Sequence, residues 1–485
     1  MKALLSSICR QWLVILEKIC YNGYMHKHIK FKLAFVCLIL IFIVTSAFGC
    51  KNSVTTEEAQ KVQPITLNYW RVWDASDTFS DVIAAYRALH PNITIKYRKL
   101  RYEEYESTLI DSFAENRGPD VFSVHAGWMK RYQTKLTPLP PTITMAYPIV
   151  TGAIQKTETI ELRTASSVTP AQVQDEFVPA VYGNAVVNGQ IYGLPLSVDT
   201  MVLYYNRDLL NNAGITDIPR YWNDSFLTAV KKLTRKNEQG DIVQAGVPLG
   251  SSINIERYAD ILSLLMAQNG AEIIDAQGRV SFHKTPAGAT KNAAPGVEAL
   301  RFYTDFANPL KDVYTWNADM PNSLQAFIDG SSAFFFGYAY HAPQIRARAP
   351  RLNFGVSKML QIEGSKVDTN FANFWLEGVS AQSAHPSEAW DFIQFATAAE
   401  NVSSYLNKAQ LPAARKSLIN QQLNDPNLQV FASQLLTAAT WYRGNDYNAA
   451  EVILGDMIDQ TLLDPKQVPK IMQTAAQKIQ QTMGN

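Results

Sequence analysis

From Ile65 onward the spacing of apolar and polar residues switches between two periods. Ile65, Leu67 and Tyr69 alternate with Thr66, Asn68 and Trp70, the period of two that places successive side chains on opposite faces of a strand. Phe79, Val82, Ile83, Tyr86 and Leu89 then recur at helical spacing behind the capping candidates Ser76 and Asp77, and Pro91 ends the pattern. Ile93, Ile95 and Tyr97 alternate again. Tyr105, Leu109 and Phe113 mark a second helix, after which Gly118–Pro119–Asp120 turns the chain into an apolar Val121–Val124 run. This β-α-β-α-β order predicts a mostly parallel sheet with helices on its faces. Ligands bind beyond the carboxyl ends of such strands, so Trp70–Asp74 and His125–Trp128 fall where a ligand could sit.

Farther along the periods are less regular. Leu136–Gln174 is rich in Pro, Thr and Ser and is expected to be an irregular surface excursion. In Tyr192–Leu210, the residues Tyr192, Pro195, Ser197, Asp199 and Thr200 precede an apolar Val202–Tyr205 run. Helices are predicted over Tyr221–Lys232, Glu256–Gln268 and Gly296–Phe306, with strands at Ala333–Phe336 and from Phe354. After His385 the chain reads as mostly helical, interrupted at Leu406–Pro412.

Ahead of this body, Lys27, Lys30 and Lys32 precede the unbroken apolar run Leu33–Val44, and Thr45–Ser46–Ala47–Phe48–Gly49–Cys50 follows. Basic, apolar and small residues in that order form an export signal, and the apolar part falls short of the roughly 20 residues of a spanning helix. All the cysteines, Cys9, Cys20, Cys37 and Cys50, lie here. Cleavage before Cys50 would leave one thiol, at the new N-terminus, and no internal disulfide. Residues 1–49 are therefore read as a signal peptide, with initiation at Met25 as an alternative, and 50–64 as a polar tether. An uncleaved anchor is the alternative to cleavage. All these readings put the body outside the cytoplasm.

The 485 residues, 47% of them hydrophobic, suffice for two or three domains. Lys plus Arg number 44 against 43 Asp plus Glu, so no basic excess points to nucleic acid. Catalytic motifs are absent: Gly378–Val379–Ser380 is not a nucleophile elbow, because Gln382 stands where the second glycine should be. No P-loop or dinucleotide fingerprint occurs, and His90, His125, His283, His341 and His385 lack zinc-site spacing. No metal or cofactor is expected. Paired carboxylates of a glycosidase are spatial and leave no sequence spacing to test.

Aromatic residues carry more signal. Trp70, Trp73 and Asp74, Trp128, Trp316 and Asn317, Tyr338, and Phe374, Trp375 and Glu377 place large rings among polar neighbours. A sugar offers apolar C–H faces rimmed by hydroxyls, which suits amphipathic rings beside Asp, Glu, Asn and Arg. Trp222 and Trp390, at helical positions, are assigned to packing.

Gly118–Pro119–Asp120–Val121–Phe122, Tyr192–Gly193–Leu194–Pro195 with Asp199, Tyr204–Tyr205–Asn206 and Ala213–Gly214–Ile215 resemble the solute-binding proteins of ABC-type sugar importers, the maltose-binding-like family. Pro219–Arg220–Tyr221–Trp222, Gln268–Asn269–Gly270, Ala326–Phe327 and Leu411–Pro412–Ala413 continue the likeness in order over about residues 60–420. Ala47–Phe48–Gly49–Cys50 is similar to a lipobox, with Cys50 as the lipidated residue, although Ala47 and Phe48 depart from the usual pattern. Arg220, where Thr is common, and the length of Leu136–Phe177 also depart from the family.

The resemblance implies an α/β fold of the periplasmic-binding-protein-like type II, two lobes joined by a hinge across a cleft. Residues 60–199 with 376–418 would form the first lobe, and 200–375 with 419–485 the second. It further implies a monomeric, non-enzymatic protein, lipid-anchored through Cys50 on the outer face of the membrane, that hands a sugar to the permease subunits of an ABC importer. On this reading Trp73, Asp74, His125 and Trp128 line the first lobe, and Asp199, Tyr258, Trp316 and Tyr338 the second. Trp375, Glu377 and Arg415 complete the set, rings stacking on sugar faces, carboxylates accepting hydroxyl hydrogen bonds and Arg donating. Two other readings stand beside it: the same fold binding a polyamine, metal complex or peptide or serving a sensor, and a surface-anchored glycosidase.

Overall fold

Ile65, Leu67 and Tyr69 are buried, while Thr66 is exposed and Asn68 half-buried, and the strand they form runs on to Val72. It lies inside a five-stranded sheet ordered Ile93–Leu100, Ile65–Val72, Val121–His125, Trp375–Ser380 and Leu136–Thr137. The first three strands are parallel, and Trp375–Ser380 returns antiparallel, with Trp375 opposite His125. Helices Ser80–Leu89 and Tyr102–Ala114 make the crossovers. This computed structural model describes residues 63–151, 157–286 and 294–484; the expected signal segment, most of the tether and Cys50 lie outside them. Among the described residues, no helix is long and apolar enough to cross a membrane.

Tyr105, Leu109 and Phe113 all face the core from the second helix. In the first helix Val82 and Tyr86 are buried, but Leu89 is 47% exposed. The expected Ser76 and Asp77 caps instead belong to a 3-10 turn that leads into the helix without a side-chain cap bond.

The second sheet is antiparallel, with Val202–Asn206 between Phe334–Gly337 and Phe354–Lys358. Two short segments join it to the first sheet. Asp199–Thr200 leads into Val202–Asn206, while Asn370–Asn373 leads through Phe374 into Trp375–Ser380, and the two pair antiparallel, Asn373 opposite Asp199. Leu194 and Glu377 exchange backbone hydrogen bonds at 3.1 and 2.9 Å just outside this pairing. The polar approach at 195–200 is thus a point where the backbone passes from one sheet to the other.

The stretch expected to be irregular is ordered differently. Thr142–Thr151 and Thr157–Ser166 pair as a long antiparallel hairpin, and Pro170–Glu176 is helical behind the Thr169 cap. Threonine is β-branched and suits a pleated surface as well as a loop. Ile143 and Met145 alternate inward, on the strand that packs against helix Pro386–Thr397. Trp222 also lies elsewhere than expected, ahead of helix Asp224–Leu233, with its indole N–H on Gln268 at 2.8 Å. Trp390 is fully buried on helix Pro386–Thr397.

Candidate ligand-binding site

Where the two sheets meet at the paired crossings, a cavity of about 530 Å³ opens. The ends of the first sheet's strands form one wall. Arg71, near the end of Ile65–Val72, is buried, and its guanidinium reaches Asp74 at 3.0 Å and Glu377 at 3.6 Å. Burial alone would weaken its charge; Glu377 foremost, with Tyr405, Tyr69 and Asp74, more than offsets this and raises its pKa above the ordinary arginine value. Burial in turn pushes the Glu377 carboxyl up against the opposing effect of Arg71.

Trp73 follows in a left-handed conformation, φ 75°, within a three-residue turn closed by the Asp74 N–H on the Val72 carbonyl at 2.9 Å. Such a turn is strained for a residue bearing a side chain. Its indole, 48% exposed, stacks between Tyr102 at 5.3 Å and Tyr340 at 6.0 Å, with interplanar angles of 17° and 12°. Tyr102 opens a helix of the first sheet, whereas Tyr340 follows a strand of the second. The ring therefore touches both sides of the cavity.

His125 ends the third strand. Its Nδ1 accepts the Gly127 N–H at 3.3 Å, which leaves Nε2 to donate to Asn373 at 3.0 Å. Burial, then Arg257, pushes its pKa down to about 4, so the ring is neutral at neutral pH.

The floor and far wall come from the crossing and from loops. Asp199 Oδ1 accepts the N–H groups of Thr200 at 2.8 Å and Ala339 at 3.0 Å, tying the crossing to the second sheet. Its Oδ2 has no hydrogen-bond partner, and burial pushes the carboxyl up to about 7. Arg257, also left-handed at φ 59°, precedes helix Tyr258–Gln268 and is held by Asp260 at 2.7 Å and Glu451 at 3.0 Å. The buried Asp260 carboxylate also accepts the hydroxyls of Tyr338 at 2.7 Å and Tyr447 at 3.3 Å. Glu256 accepts from His341 Nε2 at 3.1 Å, and the His341 Nδ1 accepts the Tyr338 N–H at 2.9 Å. Rings, paired charges and hydrogen-bonding side chains thus face one partly enclosed space, an arrangement that binds a polar solute.

A family model described as bacterial extracellular solute-binding protein matches residues 73–403, more than half of the chain. The chain belongs to that family. Of the relatives of this solute-binding protein, the probable ABC transporter-binding protein of Deinococcus radiodurans is 26% identical over 238 residues, 49% of this chain and 54% of the relative. The chain thus spans about half the length of that relative. The galactooligosaccharide-binding protein of Bacillus subtilis is 21% identical over 388 residues, 80% of this chain and 81% of the relative. Among solved structures, the cyclic α-maltosyl-1,6-maltose binding protein from Arthrobacter globiformis matches with a TM-score of 0.68 at 16% identity, covering 87% of this chain and 99% of the other. The likeness is one of fold, the periplasmic-binding-protein-like type II arrangement of two α/β lobes about a cleft.

Of the site residues expected from the sequence of this solute-binding protein, Trp73, Asp74, His125, Asp199 and Trp375 line the cavity. The other six lie off its wall. Trp128 is buried behind Tyr102 and Trp375, with its N–H on Asn448 at 3.3 Å. Tyr338 and Glu377 stand one layer back, the first stacked on Tyr340 and bonded to Asp260, the second behind Arg71. Tyr258 donates to the Glu451 carbonyl at 3.0 Å. Trp316 is fully buried with its N–H on Asn254 at 2.8 Å. Arg415 pairs with Glu176 and packs over Phe177.

Sequence reasoning missed Arg71, Tyr102, Glu256, Arg257, Tyr340, Tyr405 and Tyr447, all on the wall. Arg71 did leave a trace: a charge between Trp70 and Val72 at a strand end needs buried partners. The others reach the site through turns whose direction no period records.

Proposed function

We propose that this solute-binding protein captures a mono- or oligosaccharide in the interlobe cavity and delivers it to the permease subunits of an ABC importer. The observation that carries this reading is the stack of Trp73 between Tyr102 and Tyr340 beside hydrogen-bonding charged pairs, within one cavity at the crossings. Flat rings match sugar C–H faces, and Asp74, Glu256 and the two arginines match hydroxyls. The names of relatives and the ligands of similar folds, galactooligosaccharide and cyclic maltosyl-maltose among them, support it.

The mechanism is binding and closure without catalysis. Residues 60–199 with 376–418 and 200–375 with 419–485 act as the two lobes, and the crossings at 199–200 and 370–374 absorb the dihedral change. A solute touching both lobes favours the closed state by its differential affinity for it. The protein works as a monomer tethered to the outer face of the membrane through lipidated Cys50, and Cys50→Ser is expected to release it into the soluble fraction.

A thermal-shift panel of mono- and oligosaccharides on the purified protein tests the central claim. At least one sugar should raise the melting temperature by several degrees. No shift with any sugar, together with a large one from a polyamine, a metal complex or a peptide, overturns the choice of ligand. Glycoside turnover abolished by mutating one carboxylate overturns binding without catalysis.

A further inference from the structure

The cavity and the shell behind it hold more carboxylates than cations. Arg71 stands between Asp74 and Glu377, and Arg257 stands between Asp260 and Glu451. Each guanidinium therefore meets two carboxylates. Asp199 and Glu256 also line the cavity, and among the described residues neither forms an ion pair with lysine or arginine; Glu256 has only His341. His341 supplies no positive charge, because burial lowers its pKa and its Nδ1 is occupied as an acceptor. His125 is neutral for the same reason. Burial pushes up the carboxyls of Glu377 and Glu451 against the opposing effect of Arg71 and Arg257, and that of Asp199 against backbone N–H groups alone.

The two carboxylates without an arginine or lysine partner share one cavity. Asp199 accepts from the Ala339 N–H and Glu256 from the His341 ring, and both line the same cavity as Tyr340. Asp199 is only 7% exposed and its Oδ2 has no hydrogen-bond partner; burial offsets the cost of its charge by raising its carboxyl to about 7, and a bound cation would instead stabilise the ionised form. Tyr340 and Trp73 present aromatic surface beside them, and such surface attracts cations through the ring quadrupole. A neutral sugar can donate hydroxyl hydrogen bonds to Glu256 but brings no positive charge to either Asp199 or Glu256. A uronic acid would be repelled.

We infer that the solute is a saccharide carrying a protonated amine, with its ammonium drawn to the Asp199 and Glu256 carboxylates of the cavity that Tyr340 also lines. The inference rests on the sugar-binding reading of the same cavity and names the charge that its ligand brings. A plain aliphatic diamine shares the ammonium chemistry without the sugar rings, so the test separates the two.

Isothermal titration of the full chain with matched probes decides it: the trimer of N-acetylglucosamine, its deacetylated form, a galacturonate trimer and putrescine. The deacetylated trimer should bind at least about tenfold tighter than the acetylated one, equivalent to about 1.4 kcal/mol, and the galacturonate should not bind. Glu256→Gln and Asp199→Asn should each collapse the ratio between the two trimers towards one. Glu256 is partly exposed, which keeps the test available if the buried Asp199 variant fails to fold. Equal binding of the two trimers, tighter binding of the acetylated one, or capture of galacturonate overturns the ammonium inference and leaves the sugar reading standing. Binding of putrescine with no saccharide binding keeps the ammonium site and overturns the sugar reading. Absence of binding by every amine overturns the inference.

Discussion

The two walls of the cleft use the same device on different scaffolds. On each, an arginine lies between two carboxylates and reaches a tyrosine hydroxyl: Arg71 with Asp74, Glu377 and Tyr405, and Arg257 with Asp260, Glu451 and Tyr447. Arg71 belongs to a strand between two parallel neighbours, and its guanidinium packs over Phe79 and Tyr405. Arg257 is a left-handed residue at a helix start, and its side chain is more exposed, 20% against 7%. The first wall therefore inherits its rigidity from the sheet. The second must generate it from hydrogen bonds, which converge on Asp260.

That difference breaks most visibly at Asp260. Asp260→Ala leaves the Tyr338 hydroxyl without its acceptor, takes one from Tyr447 and leaves Arg257 with Glu451 as its one carboxylate, and should cost about 3–5 kcal/mol of unfolding free energy, measured by denaturant titration. Glu377→Ala should cost less, because Arg71 keeps Asp74 at 3.0 Å. Equal losses would mean that the sheet gives the first wall no advantage.

The crossing sharpens the comparison through pH. The folded Asp199 carboxyl, at about 7, lies above its unfolded value, so its contribution to stability is present below about pH 4 and is lost as pH rises through 7. His125 behaves oppositely: its folded value of about 4 lies below the unfolded one, so its contribution is present above about pH 6.5 and is lost as pH falls through 4. Between about pH 4 and 6.5 the two slopes oppose each other. Asp199→Asn should make stability rise more steeply with pH in this window than in the parent, and His125→Gln should make it fall more steeply, with changes of up to about 3–4 kcal/mol across it. Parallel pH profiles of variant and parent would remove these groups from the account.

Trp73 is the ring shared by both walls. Trp73→Ala should weaken binding of the best sugar by about 2 kcal/mol, roughly thirtyfold, by isothermal titration, and affinity within twofold of the parent would exclude the indole from the site. The smallest effect on binding is expected away from the wall. Trp316→Phe removes the bond to Asn254 and part of a fully buried ring, and should cost about 1–3 kcal/mol of stability with ligand affinity unchanged.

The first wall was largely legible in the sequence and the second was not. Trp73, Asp74 and His125 follow strands whose alternation is clear, and parallel topology places strand ends at a site. Trp128 follows the same strand as His125 but turns inward through a 3-10 turn, so chain position alone misplaced it. On the second side Trp316 and Tyr338 were singled out for their polar neighbours. Asn254 and Asp260 satisfy their polar atoms inside the core, an outcome that a neighbouring Asn in sequence does not reveal. Tyr340, two residues from Tyr338, reaches the cavity.

The hairpin shows the same limit in another form. Threonine suits a loop and a strand alike, and what orders Thr142–Thr151 is pairing along Thr157–Ser166 and packing on a helix more than two hundred residues later.

By itself the sequence determined the alternation of strand and helix and the parallel start of the first sheet. Each is written in local spacing or composition, and local spacing fixes which face of an element is apolar. Only the tertiary structure decided which charges share a cavity. Arg71 with Glu377, Arg257 with Glu451, and Asp199 with Ala339 are pairings between distant parts of the chain, made by packing on each side of the cleft. Whether a buried charge has a partner depends on distance in space, which no periodicity along the chain encodes.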